Sequence, residues 1–176
     1  MTRAGRLAAC ALAGALGAGC ASLEPAAIEG EALSGRLSVR LEGDAERSFN
    51  AAFELVGSPE RGSLSLNTPL GTRVAQADWS AGLVRLRSRE GERRYADLDS
   101  LSEDALGERV PLGALFDWLR GRPWPGAASV ASPRGFAQLG WEVDLSRYGE
   151  GWVLAERSMP PVVTVRARLD TPPAGL

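Results

Sequence analysis

Alternation of apolar and polar residues recurs along most of this chain, and it constrains the fold more than any other feature. Leu37, Val39 and Leu41 alternate with polar neighbours in the first such stretch. Successive side chains on a strand point to opposite faces, so the pattern predicts a strand with one buried and one wet face. Further strands are predicted at 48–56, 63–67, 72–79, 83–88, 93–96, 141–145, 152–156 and 163–169. Turn residues separate these stretches at short intervals, which is typical of an antiparallel meander.

The region between the two halves of this pattern predicts two short helices. Ser100 and Glu103 have the spacing of a capping box, so we expect a helix from about Ser102 to Leu106. Pro111 is expected at the first position of a second helix, where its missing N–H is not needed. The apolar residues of this second helix recur at helical spacing, and they are Leu112, Leu115, Phe116 and Leu119. The chain is therefore predicted to be mainly β with a short helical insertion.

The composition excludes several kinds of function. All 20 basic residues are Arg, and the chain has neither Lys nor His. Without imidazole, catalysis or metal binding that depends on His is excluded. No group of carboxylates or serines has a catalytic spacing, so we expect no enzyme, no cofactor and no metal site. A net charge of -2 argues against a nucleic-acid partner.

The first twenty residues have the features of a lipoprotein signal. Arg3 and Arg6 give a positive start, and residues 7–18 are uncharged but too short to span a bilayer. Small residues then precede Cys20, which resembles a lipobox, although Gly17 stands where Leu is usual. We therefore expect Cys20 to be lipid-modified after removal of the signal.

Two alternatives to acylation of Cys20 stay open. A plain signal peptide could be cut after Gly19 or Ala21, and Cys10 also ends a lipobox-like run that has almost no apolar core before it. With Cys20 as the anchor, the chain divides into a signal peptide at 1–19, a lipid-anchored tether at 20–33, one domain at 34–170 and a loose tail at 171–176. The domain has no cysteine, so only a packed core can stabilise it.

Several motifs of the predicted domain resemble one known family. They begin with Gly-Arg-Leu-Ser-Val-Arg at 35–40 and continue with a strand that enters a Pro-Leu-Gly loop at 64–71. The most specific stretch is 110–123, which has a helix with Trp followed by a Gly-x-Pro stop, and 140–143 with Tyr148 completes the order. In order and spacing these motifs are similar to the outer-membrane lipoprotein receptor family LolB.

The resemblance implies a fold and a function. The fold is an incompletely closed antiparallel β-barrel, or half-barrel, whose helices cover an apolar cavity, as in LolA and LolB. The function is an outer-membrane receptor that accepts lipoproteins from the periplasmic carrier LolA, binds their acyl chains and inserts them into the outer membrane. The implied partners are LolA, acylated lipoprotein cargo and outer-membrane phospholipid. The protein is expected to be a monomer, lipid-anchored in the outer membrane and facing the periplasm.

Two sets of candidate site residues follow from this resemblance. Pro69, Leu70 and Gly71 would form a membrane-insertion loop, in which Leu70 matches a family Leu that is needed to release cargo. The alternative is a hairpin Leu that folds back onto the core. The expected acyl-chain cavity is formed by inward residues, namely Leu37, Val39, Phe53, Leu64, Leu66, Phe116, Trp118, Trp141 and Val143. Ordinary core packing is the alternative for each of them.

Charged residues are concentrated in two neighbouring segments. A predicted hairpin carries five arginines, which are Arg85, Arg87, Arg89, Arg93 and Arg94. They could meet an acidic partner or anionic head groups, but a solvated strand face is the more ordinary interpretation. The acidic residues that follow are interpreted as helix N-terminal charge and not as a metal site, and they are Asp97, Asp99, Glu103 and Asp104.

Three other functions stay open at this point. The chain could be a lipoprotein that binds free lipids or glycolipids in a similar half-barrel. It could be a structural subunit of an outer-membrane assembly complex, which would need an adhesive surface instead of a cavity. An enzyme is the third alternative, and no residue constellation favours it.

Overall fold

The computed structural model of the protein describes residues 32–171. The expected signal peptide, the lipid-modified Cys20, most of the tether and most of the tail lie outside these residues. The strands are β1 (Leu33–Leu41), β2 (Asp44–Gly57), β3 (Gly62–Asn67), β4 (Arg73–Ser80), β5 (Leu83–Ser88), β6 (Gly91–Tyr95), β7 (Ser129–Ser132), β8 (Gly135–Gln138), β9 (Trp141–Asp144), β10 (Trp152–Arg157) and β11 (Val163–Leu169). The helices are α1 (Leu98–Leu106) and α2 (Leu112–Trp118), and a 3-10 turn spans Tyr148–Glu150.

All eleven strands form one antiparallel sheet in the order β6-β5-β4-β3-β2-β1-β11-β10-β9-β8-β7. The first six strands and the last five are two meanders, which are joined where β1 pairs with β11. Gly35 permits this pairing, because a Cβ at that position would overlap the carbonyl oxygen of Arg168. The centre of the sheet is thus built from the two ends of the domain.

The expected open, mainly β architecture with a helical insertion is confirmed. Within residues 32–171 the sheet ends at β6 on one side and at β7 on the other, so it does not close into a barrel. The segment that carries α1 and α2 follows β6 and precedes β7. It therefore connects the two edges of the sheet, and this topology places both helices over the open side.

The predicted strands are confirmed, but two short strands were not predicted. Strand β7 is Ser-Val-Ala-Ser, and its side chains are mostly exposed. Strand β8 has the polar Gln138 at an inward position beside Phe136, so its alternation does not separate apolar from polar residues. Four-residue strands with this composition carry too little periodic signal to be recognised.

The predicted start of the first helix is wrong. Helix α1 begins at Leu98, and Asp97 caps it by accepting a hydrogen bond from the Ser100 N–H at 2.7 Å. Ser100 is therefore inside the first turn, and Ser102 uses its hydroxyl to bond the Asp99 carbonyl. An Asp at the N-cap satisfies the free N–H groups as well as Ser does, and it adds charge that favours the helix dipole. Pro111 precedes α2 as its N-cap instead of occupying its first position.

The inner face of the sheet and the two helices enclose one hydrophobic core. Strand β11 contributes alternate residues Val163, Val165, Ala167 and Leu169, each of which is at most 5% exposed. Helix α2 contributes its apolar stripe from above the sheet. The outer face carries the intervening polar residues, as the sequence pattern predicted for a sheet that is wet on one side.

Candidate functional site

The structure brings the nine expected cavity residues together in one region. Val39, Phe53, Trp141 and Val143 are buried on the inner face, while Leu37, Leu64 and Leu66 are partly buried there. Phe116 and Trp118 face them from α2 and are 2% and 0% exposed. The nine side chains belong to a continuous packed cluster. Their part in binding acyl chains stays a prediction.

Aromatic contacts hold α2 against both halves of the sheet. Phe116 meets Trp79 of β4 edge to face, with ring centroids 5.2 Å apart. Trp118 lies 6.4 Å from Phe136 and 6.0 Å from Trp141, both in the second half. Trp79 and Phe136 were not among the expected site residues. The period-two pattern could have placed Trp79 on the inner face, because it lies two residues beyond Ala77 in a predicted strand.

A buried glutamine fixes the polar edge of Trp118. Gln138 is 3% exposed, and its side-chain oxygen accepts hydrogen bonds from the Trp118 indole at 2.8 Å and from the Trp124 N–H at 2.9 Å. Its amide group donates to the carbonyls of Trp124 and Ala127. All these groups are satisfied, so the network fixes the loop after α2 to β8. No sequence motif marks Gln138 for this role.

Helix α1 is tied to the edge strand β6 through one carboxylate. Asp104 accepts hydrogen bonds from the Tyr95 hydroxyl at 2.6 Å and from Arg93 at 2.9 Å. These two donors stabilise the charged carboxylate and lower the pKa of Asp104 below its ordinary value. Burial, followed by the hydrogen bond to Asp104, raises the pKa of the Tyr95 hydroxyl. These hydrogen bonds are exposed to solvent and lie at the edge of the sheet, where α1 packs beside β6.

The Pro69-Leu70-Gly71 loop lies at the end of the β3–β4 hairpin. Thr68 closes the turn, because its carbonyl accepts from the Gly71 N–H at 2.9 Å and its hydroxyl accepts from the Thr72 N–H at 3.2 Å. Gly71 has φ +82°, a conformation that favours glycine. Leu70 is 95% exposed, so its side chain does not fold back onto the core. Its action at a membrane stays a prediction.

The arginine hairpin formed by β5 and β6 is largely neutralised by its own neighbours. Arg87 lies 2.8 Å from Asp78, and Arg93 lies 2.9 Å from both Glu90 and Asp104. Glu92 alone lies within ion-pair distance of three arginines, which are Arg85, Arg87 and Arg94. This arrangement supports the interpretation of the hairpin as a solvated strand face.

A second basic surface was not expected from the sequence. Four exposed arginines lie on the outer side of β1 and β11, and we call them the arginine face: Arg36, Arg40, Arg166 and Arg168. Among residues 32–171, Arg36, Arg40 and Arg166 have neither an ion pair nor a side-chain hydrogen bond. The guanidinium of Arg168 stacks 5.5 Å above the ring of Trp152. Two arginines lie among the outward positions of each strand, but the pairing of β1 with β11 joins residues that are distant in sequence.

The acidic residues around α1 serve the helix and its neighbours. Asp97 caps α1, Glu103 lies 2.8 Å from Arg109, and Asp104 bonds Tyr95 and Arg93. Across the described residues, no group of three or more Cys, Asp or Glu side chains is arranged to hold a metal ion. Of the helices within 32–171, none combines the length and the apolar character needed to cross a membrane.

Comparison with known proteins gives one consistent family. The family model described as "Outer membrane lipoprotein LolB" matches residues 32–170. Relatives named "Outer-membrane lipoprotein LolB" include that of Bordetella petrii, 34% identical over 164 residues, which are 83% of this chain and 82% of the relative. The relative from Chromobacterium violaceum is 36% identical over 141 residues, 74% of this chain and 76% of the relative. The relative from Bordetella pertussis is 43% identical over 93 residues, 48% of this chain and 47% of the relative, so the match spans about half of its length.

Proposed function

The chain belongs to the family of the outer-membrane lipoprotein LolB, and from this membership we propose that it is an outer-membrane receptor for lipoproteins. It accepts acylated lipoproteins from the periplasmic carrier LolA and inserts them into the outer membrane. It acts without covalent chemistry and without a cofactor. The observation that carries the proposal is the family match across residues 32–170. Acylation of Cys20 would anchor the receptor in the outer membrane, facing the periplasm.

Elementary energetics explain why such a receptor needs an apolar interior. Burial of one CH₂ group is worth about 0.8 kcal/mol, so a chain of about 16 carbons costs on the order of 12 kcal/mol to leave in water. Transfer from one apolar interior to another avoids that exposure. No Gly-rich phosphate loop followed by Lys occurs in the sequence, which has no Lys at all. In our proposal, rising affinity along the route therefore replaces nucleotide hydrolysis.

The covered inner face is the proposed place for the acyl chains. Phe116 of α2 is packed against Trp79 of the sheet, so an entering chain would replace this contact as that part of the helix moves outwards. The space opened in this way between α2 and the sheet would be lined by apolar side chains on both sides. Such a lining suits a ligand that needs no specific polar partner. The hydrogen bonds of Gln138 would keep the end of α2 attached to β8 during such a movement.

The Leu70 loop is the proposed delivery element. An apolar side chain that is 95% exposed is unfavourable in water, but it gains about 1.5–3 kcal/mol when it enters a bilayer interface. The loop lies outside the packed core, so a change there leaves the proposed acyl-chain site intact. Acceptance and delivery of cargo can therefore be separated by substitution.

The test is a two-step transfer measured with the full chain carrying Cys20→Ala, which removes the expected acyl anchor. LolA loaded with a labelled lipoprotein is mixed with this chain, and liposomes are then added. We expect cargo to pass to the chain and then to the liposomes. With Leu70→Ala we expect normal acceptance but delivery that is slower by about tenfold or more, from the lost interface energy.

The matched control is Leu139→Ala, which shortens another exposed Leu in a hairpin turn. This variant should accept and deliver cargo like the parent chain. If no cargo moves from LolA to the parent chain, the receptor proposal is wrong, and free-lipid binding becomes the function to test. Equal rates of delivery by the Leu70 and Leu139 variants would show that the Leu70 loop has no specific role in delivery.

A further inference from the structure

We propose that the arginine face is a docking surface for the anionic phospholipid headgroups of a membrane leaflet. It would hold the outer side of the sheet against the bilayer while the neighbouring Leu70 loop enters the interface. The inference rests on the proposed function for its biological setting. The residues that carry it are different from those that would bind cargo.

The charges of the arginine face are arranged unfavourably unless an anion is bound. Arg36 and Arg168 lie directly opposite each other on β1 and β11, and Ser38 stands between Arg166 and Asn50 on the next row. Like charges at directly opposite positions destabilise a sheet. Arg36, Arg40 and Arg166 have no carboxylate partner in the part of the chain that the structure describes. Planar guanidinium groups bind phosphate oxygens through two parallel hydrogen bonds, so phosphate groups would relieve this repulsion.

Carboxylates border the arginine face. One of them is Glu150, whose pKa is lowered by the hydrogen bond from Arg147 and, to a smaller extent, by the charge of Arg168. Asp170, beyond the end of β11, accepts a hydrogen bond from Ser34 at 3.0 Å. Glu54 lies opposite Ser34 on the other side of β1, and Glu156 lies opposite Thr164 at the far end of β11. The positive charges are thus concentrated in the middle of the sheet, over the rows that join its two halves.

The position of the Leu70 loop favours a membrane over other anionic partners. Pro69 lines the same outer groove as Arg36 and Arg168, a groove of about 800 Å³ that also includes Trp152. The groove therefore has cations at its centre, a half-buried indole at one side and an exposed apolar loop at its rim. A bilayer interface offers phosphate groups and apolar tails within a few ångströms of each other, and Trp is enriched there. An acidic protein surface would satisfy the arginines but would leave Leu70 unexplained.

The test is vesicle binding by the full chain with Cys20→Ala, so that no acyl anchor contributes. Binding is measured by co-sedimentation with phosphatidylcholine vesicles, with and without phosphatidylglycerol. We expect stronger binding to the anionic vesicles. The double variant Arg36→Gln with Arg166→Gln should lower that binding by roughly thirtyfold, because each Arg near an anionic surface contributes about a fivefold factor.

The matched control removes the same charge from the arginine hairpin through Arg87→Gln with Arg94→Gln. Strand β5 is separated from β1 by three strands, roughly 19 Å along the sheet, which exceeds the screening length of physiological salt. This control should lower binding by less than about threefold. Arg36→Lys with Arg166→Lys should restore most of the binding, and an unchanged circular dichroism spectrum should accompany every variant.

Three outcomes would overturn the proposal. One is equal binding of the parent chain to both kinds of vesicle, and another is an equal loss in the face and hairpin variants, which would leave net charge as the only cause. In the third, the face variant binds vesicles normally but accepts no cargo from LolA, so the surface docks a protein. Cargo acceptance is measured without vesicles, so failure of the receptor function and failure of this docking surface are distinguishable.

Discussion

The arginine hairpin and the arginine face contain similar numbers of arginines, but the two surfaces present very different charge. In the hairpin, residues such as Glu90 and Glu92 lie between the arginines in sequence and pair with them in space. In the arginine face, two strands from opposite ends of the domain place Arg36 beside Arg168 without an acid between them. The number of arginines in a segment therefore does not predict how many of them remain without an ion-pair partner on the folded surface.

The difference follows from the kind of contact that builds each surface. A hairpin pairs residues that are close in sequence, so a segment that mixes both signs compensates itself. Pairing of β1 with β11 joins residues 33–41 to residues 163–169, and neither segment alone predicts the neighbours of the other. Substitutions on the two surfaces should therefore have different effects on stability and on the charge that each surface presents.

The largest expected effect is a loss of stability on substitution of the buried side of β11, compared with substitution of its outer side. Val165 is 2% exposed on the inner face, so Val165→Ala removes buried methyl groups and leaves a small cavity. We expect a loss of about 2 kcal/mol in the free energy of unfolding, measured by urea denaturation. Arg166→Gln on the outer side should change stability by less than about 0.5 kcal/mol. If Arg166→Gln destabilised the protein as much as Val165→Ala, the arginine face would be a structural element instead of a docking surface.

A smaller effect is expected from Glu92→Gln, which removes the carboxylate shared by Arg85, Arg87 and Arg94. Exposed ion pairs contribute little, so stability should fall by no more than about 1 kcal/mol. The freed positive charge lies about 19 Å or more from the arginine face, so it should raise binding to anionic vesicles by less than about threefold. A gain as large as the loss expected for the arginine-face variant would mean that the hairpin also docks to the membrane once its charge is no longer compensated.

The smallest effect concerns the pH dependence of stability that arises from the contact between α1 and β6. The hydrogen bonds from Tyr95 and Arg93 lower the pKa of Asp104 in the folded protein. A lowered carboxylate pKa adds stability above the unfolded pKa of about 3.9, and this contribution is lost as the pH falls through the folded pKa. Asp104→Asn should therefore be less stable than the parent chain at neutral pH, with a difference that disappears in acid. Thermal unfolding followed across this pH range measures it, and a constant difference would contradict the assignment.

The sequence predicted the strand pattern well because most of the predicted strands have one buried and one wet face. It failed where local signal was short or ambiguous: β7 and β8 have four residues each, and Asp97 competes with Ser100 for the same cap. The inward residues and the Leu70 turn could be located from alternation and turn chemistry. Gln138 could not, because its importance comes from burial beside Trp118, which depends on the tertiary fold. The arginine face required the β1–β11 register, which no local pattern contains.

The position of the helices between the two edge strands has a mechanical consequence. The chain from β6 to β7 bridges the mouth of the half-barrel, so its contour length limits how far the two edges can separate. A helical residue advances the chain by 1.5 Å and an extended residue by about 3.3 Å. Unwinding the nine residues of α1 would thus lengthen this connection by about 16 Å. Such unwinding would let β6 and β7 move apart while every strand keeps its hydrogen-bonded neighbours.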